Sequence, residues 1–173
     1  MATALFAVCC AVSGAVADEP PTLSLPRTIA AAPPVKDDAG LYDVQFLGKR
    51  TGFAVGDHGT VWKTSDGGRT WTVAATPVDC TLRSVCFLTD RVGWVAGGGI
   101  TPYTRQGFGV LLFTSDGGET WKQLGADTLP PLFYVRFFGM EQGVVVGEAS
   151  PEHPTGVLNT ADGGKSWQSI VGA

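Results

Sequence analysis

An octet of the form Thr-x-Asp-Gly-Gly-x-(Thr/Ser)-Trp occurs three times in this chain. It reads TSDGGRTW at Thr64–Trp71, TSDGGETW at Thr114–Trp121 and TADGGKSW at Thr160–Trp167. The three aspartates lie 50 and 46 residues apart. Self-similarity at such a period marks a repeat architecture, in which each unit buries its faces only against its neighbours. Between octets the apolar residues alternate with period two, the signature of strands. Strand one carries Val44 and Phe46, then Val85 and Phe87, then Val135 and Phe137. Strand two is GFAVG from Gly52, GWVAG from Gly93 and GVVVG from Gly143. Strand three runs into the octet, and strand four starts at the octet tryptophan. No window has a helical period. Four short antiparallel strands per repeat are the arithmetic of propeller blades. The chain therefore reads as all-β, a β-propeller of four-stranded antiparallel blades with three present, at 41–81, 82–131 and 132–173.

The octet falls at the turn between strands three and four. Its paired glycines permit positive φ, and its aspartate can accept hydrogen bonds from backbone groups just ahead. The tryptophan packs its ring into the blade with its N–H near a polar rim. Asp66, Gly67 and Trp71, Asp116, Gly117 and Trp121, and Asp162, Gly163 and Trp167 are thus read as structural. A glycosidase carboxylate is needed once, whereas these recur in every repeat. One carboxylate per turn is also too few for calcium.

Met1–Ala17 is small and apolar and ends in Ala15-Val16-Ala17, an export-signal pattern, although no Lys or Arg precedes its apolar core. Cys9 and Cys10 would leave with it. An exported product, periplasmic or extracellular, is the expectation, and no other stretch is long and apolar enough to span a bilayer. The segment 18–40 carries five prolines and reads as a linker. Arg27–Ala32 falls where the repeat register would place an outer strand. Cys80 and Cys86 remain, as a disulfide across Thr81–Val85 or as two small core residues. Their spacing is not that of a zinc site, and neither metal nor cofactor is expected. A net charge of −4 leaves no basic footprint for nucleic acid.

The octet resembles the Asp-box of bacterial neuraminidase repeats, found in sialidase-like proteins. The whole repeat, LYDVQFLGKRTGFAVGDHGTVWKTSDGGRTW from Leu41, resembles that of the photosystem II assembly and stability factor family. The resemblance rests on L-x-x-V-x-F, G-F-A-V-G-x-x-G-T and T-x-D-G-G-x-T-W. It implies a seven-bladed exported propeller that binds a partner protein during membrane-complex assembly, without catalysis. In a phototroph it would work in the thylakoid lumen, on a membrane-complex subunit. Three blades do not close a ring, which typically takes four to eight. Either the chain belongs to a longer propeller, or copies associate as a homo-oligomer.

Repeats fix a scaffold, and insertions on one face mark binding. The loops between strands two and three differ in length, with four residues at 57–60, thirteen at 98–110 and nine at 148–156. The second offers Tyr103, Arg105, Gln106 and Phe108, side chains of the type enriched in contact hot spots. The third offers Glu148, Glu152 and His153. His58 reads as a turn residue, and no Ser-His-Asp set is legible. The favoured function is a non-enzymatic, protein-binding exported propeller. The alternatives are a sialidase-like or glycan-binding propeller and a structural repeat protein that binds only itself.

Overall fold

A computed structural model describes residues 39–125 and 129–170. The export signal expected over 1–17 and the outer strand expected at Arg27–Ala32 lie outside the described residues. The described chain forms twelve strands and one short 3-10 turn at Asp57–Gly59. Blade 1 consists of β1 (Leu41–Leu47), β2 (Thr51–Gly56), β3 (Val61–Thr64) and β4 (Thr72–Ala74). Blade 2 consists of β5 (Thr81–Phe87), β6 (Gly93–Ile100), β7 (Gly107–Thr114) and β8 (Lys122–Leu124). Blade 3 consists of β9 (Leu132–Phe137), β10 (Gly143–Gly147), β11 (Val157–Thr160) and β12 (Gln168–Ser169). Each blade is an antiparallel meander in chain order, as hairpin connections between consecutive strands require.

Alternation along each strand sends side chains to both faces of a blade, so the chain has two cores. One lies between blades 1 and 2, where Phe53, Val55 and Val61 meet Val85, Phe87, Val95 and Leu112. The other lies between blades 2 and 3, where Trp94, Ala96 and Leu111 meet Val135, Phe137, Val145 and Leu158. The strand-one phenylalanine centres each junction. Phe87 stacks on Phe53 at 3.6 Å between centroids, and Phe137 stacks on Trp94 at 3.8 Å. Each also takes its own octet tryptophan edge-on, Trp121 at 6.1 Å and Trp167 at 6.3 Å. Room for these rings comes from the first glycine of strand two. A Cβ on Gly93 would lie 2.5 Å from the Phe87 ring, and one on Gly143 would lie 2.7 Å from Phe137.

Polar side chains zip the inner strands together across the junctions. The Gln45 carboxamide accepts the Phe87 N–H at 2.6 Å and donates to the Phe87 carbonyl at 3.1 Å. Asp43 accepts the Ser84 hydroxyl and the Val85 N–H. At the next junction Cys86 stands where Gln45 stood, its Sγ accepting the Phe137 N–H at 3.3 Å. Cys80 and Cys86 are both free thiols. Cys86 is buried in the core between blades 2 and 3, whereas Cys80 packs against the core between blades 1 and 2. They pack against different cores on opposite sides of blade 2, so this structure does not bring the two sulfurs together as the disulfide alternative requires.

Among the described residues, only blade 2 is covered on both faces. Val44 and Phe46 occupy the positions of Val85 and Phe87 yet remain 55% and 44% exposed, because no described blade precedes them.

Candidate functional site

The octets and the loops between strands two and three lie at opposite rims, and hydrogen bonds define both. In the first octet the Thr70 N–H and hydroxyl donate to Asp66 at 2.9 and 2.6 Å, and the Thr64 hydroxyl donates at 2.8 Å. Asp116 and Asp162 are held the same way by Thr120 and Thr114, and by Ser166 and Thr160. These bonds favour the ionised form, so all three carboxyls titrate well below the usual carboxylate range. A group held this firmly as an anion is a poor general acid. The glycine pairs take positive φ, 79° and 88° at Gly67 and Gly68. The Gly67 N–H bonds the Arg50 carbonyl, tying the octet to the turn between β1 and β2. The Trp71 N–H donates to the Gly68 carbonyl. Those of Trp121 and Trp167 are buried without a hydrogen-bond partner, so the polar rim expected for the octet tryptophans serves only the first of them.

At the opposite rim, the links between blades fasten the loops. The Gly59 N–H bonds the Cys80 carbonyl, and the Glu148 N–H bonds the Pro131 carbonyl. His58 adopts φ 58° in its turn, with Nδ1 3.1 Å from Asp79. In blade 2 the hairpin is longer than the sequence suggested. Strands β6 and β7 stay paired out to Ile100 and Gly107, leaving only residues 101–106 as the loop. The glycines here hide the strand signal, since they carry no side chain to alternate. Phe108 therefore lies in β7, half-buried, and packs against the core between blades 1 and 2. Tyr103 sits at the tip, 96% exposed, beside the exposed Arg105 and Gln106.

Gln106 and Glu148, Glu152 and His153 come together around a groove of about 750 Å³ floored by Leu129, Pro130 and Pro131. His153 Nδ1 lies 2.6 Å from the Ser169 hydroxyl, which anchors the third loop to β12. Among the described residues, no group of three or more His, Cys, Asp or Glu is placed to hold a metal ion. No helix among them is long and apolar enough to cross a membrane.

A second row of side chains is absent from the sequence expectations. Each inner strand has a register shift near its start, between Leu41 and Asp43, between Leu82 and Ser84, and opposite Val146 and Gly147. A bulge of this kind re-aims the extra residue. The residues released are Tyr42, Arg83 and Phe133. The Arg83 guanidinium lies 5.4 Å from the Tyr42 ring and 5.8 Å from the Phe133 ring, bridging all three blades. The only sequence signal for this row is the residue after the first leucine of each repeat.

Stacked four-stranded antiparallel blades, with octet turns on one rim and unequal loops on the other, define a β-propeller array. The chain belongs to the Photosynthesis system II assembly factor YCF48 family, whose sequence model matches residues 32–171. It is 31% identical over 168 residues to the Photosystem II assembly lipoprotein Ycf48 of Synechococcus sp. (strain CC9902), covering 92% of this chain and 45% of that protein. It is 26% identical over 165 residues to the chloroplastic Photosystem II stability/assembly factor HCF136 of Oryza sativa subsp. japonica, covering 90% and 36%. Among solved structures, YCF48 bound to D1 peptide superposes with a TM-score of 0.58 at 27% identity, over 75% of this chain and 40% of that one. The chain thus spans less than half the length of these relatives.

Proposed function

We propose that this chain is a non-enzymatic, exported protein-binding segment of a propeller that takes part in photosystem II assembly. We place its partner on the rim formed by the loops between strands two and three. The observation that carries the reading is a family match running through all three blades, in a family where a solved relative holds a D1 peptide. The octet aspartates add support, because their lone pairs are committed to their own turns. The rim adds the rest. Tyr103 and Arg105 project from a hairpin braced by β6 and β7, and the adjoining groove offers Glu148 and Glu152 over an apolar floor. A braced aromatic and an arginine beside an apolar groove suit a peptide partner at low ordering cost. The relatives' names, a lipoprotein and a chloroplast protein, favour an exported location, which in a phototroph is the thylakoid lumen.

The test is binding of the purified chain to an immobilised D1 peptide. Arg105→Glu and Glu148→Lys should each weaken binding at least tenfold while leaving the thermal melt unchanged. Wild-type affinity in both variants would overturn the rim assignment. No binding by the wild-type chain would overturn the partner assignment.

A further inference from the structure

The two seams between described blades close differently at the octet rim. Strand register and turn hydrogen bonds fix four equivalent positions at each. The first seam has Lys63 from blade 1 and Asp90, Arg91 and Glu119 from blade 2. At the second seam Phe113 takes the place of Lys63, since it pairs with Trp94 as Lys63 pairs with Phe53. Glu141 takes the place of Arg91, since its carbonyl accepts the Gly163 N–H as that of Arg91 accepts the Gly117 N–H. Counting from the same turns, Met140 falls at the place of Asp90 and Lys165 at that of Glu119. All four positions have changed character, and two have turned from charged to apolar.

The first seam is bridged by an ion pair, with Lys63 Nζ 3.0 Å from Glu119. At the second seam Phe113 leans on Trp94 instead, with ring centroids 5.3 Å apart. Among the described residues, neither Lys165 nor Glu141 forms an ion pair. The seam stays open as a groove of about 430 Å³, with Trp94, Phe113 and Leu124 on one side and Met140, Glu141 and Lys165 on the other. Met140 is 55% exposed, and a flexible thioether adapts to the shape of what it meets. Lys122 lies opposite Phe113 in the β7–β8 ladder and so on the same face, which sets a second lysine beside the apolar wall. Asp162 also borders the groove, but its oxygens are committed to Thr160 and Ser166. Both walls belong to described blades, so the groove does not depend on any blade before or after them.

We infer that this groove docks a peptide segment of a partner protein that carries a large apolar side chain next to an Asp or Glu. The apolar side chain enters between Phe113 and Met140. The carboxylate meets Lys165 and gives it the counter-charge that Glu119 finds in Lys63. Burying the apolar anchor supplies the affinity, and the lysines select the acidic neighbour. This surface lies on the octet rim, opposite the loops between strands two and three, and is a second site independent of that rim.

An array of short peptides with a central Leu or Phe flanked by Glu, probed with the full chain, tests this. Matched peptides with a central Ala, or with Lys for Glu, should bind at least tenfold more weakly. The double variant Phe113→Lys with Lys165→Glu restores the ion pair that bridges the first seam. It should lower binding of the Glu-flanked peptides at least tenfold, with circular dichroism and the thermal melt retained. Met140→Asp, at an exposed position, should do the same. Binding of D1 peptide at the opposite rim should be unchanged in both. No preference of the wild-type chain for the Glu-flanked apolar peptides overturns the inference, as does undiminished binding by the double variant. Loss of D1 peptide binding in the folded double variant also overturns it, because the two surfaces would then be one. Capture of the chain by phosphatidylglycerol vesicles and not by the peptides would overturn the peptide assignment in favour of a lipid surface.

Discussion

The octet aspartates show how a residue that looks like chemistry serves structure. Asp116 accepts the Thr120 N–H and hydroxyl and the Thr114 hydroxyl, and these bonds lower its pKa from an ordinary value of 3.8. Each such carboxylate stabilises the fold only while ionised. Its contribution is full above the unfolded value and is lost as pH falls towards the lower folded one. The melting temperature should therefore fall steadily below about pH 4. Asp116→Ala should lower it at pH 7 and shallow that acid slope, leaving the share due to Asp66 and Asp162. A slope unchanged in the variant would show that the carboxylate does not hold its turn. The neighbouring Gly117 is fixed by the same turn, with φ 77° and a position whose Cβ would lie 2.7 Å from the Asp90 carbonyl.

At the scale of the strand, identical sequence positions differ in worth according to what stands beside the blade. Phe137 is buried, stacked on Trp94 and edged by Trp167. Phe46 has the same place in its blade but lacks the stacking partner and is 44% exposed. Phe137→Ala should cost about 3–5 kcal/mol, as for a buried aromatic replaced by a cavity. Phe46→Ala should cost about 1 kcal/mol, since nearly half of the residue stays in water on folding and no stacking partner leaves a cavity behind it. Denaturant titration of the two variants measures the difference, and equal losses would show that Phe46 is covered in solution. The hydrophobic pattern gave the strand positions of both residues but not this difference, because burial belongs to the junction.

For the whole molecule, the two rims differ in construction. The octet rim is locked by turns that repeat in every blade, while the opposite rim varies in length and exposes Tyr103 and Arg105. Replacing residues 101–106 with a two-residue Asn-Gly turn should leave the melting temperature nearly unchanged, since β6 and β7 remain paired below it. Peptide binding should fall with the lost tip. A retained affinity would move the site to the groove at Glu148 and Glu152 or to the Tyr42–Arg83–Phe133 row.

The sequence by itself determined the blade. Three octets, period-two strands and fixed glycines specify a four-stranded unit, because turn chemistry and alternation are local properties of the chain. It also placed Tyr103, Arg105, Gln106, Glu148, Glu152 and His153 on loops. It did not show that Phe108 turns inward, since that depends on glycine-rich strands pairing across Gly97 and Gly98. It left open which faces of the cysteines met and which phenylalanines were covered. Those were decided by the tertiary structure, because a blade face becomes core only when another blade, distant in sequence, is laid against it.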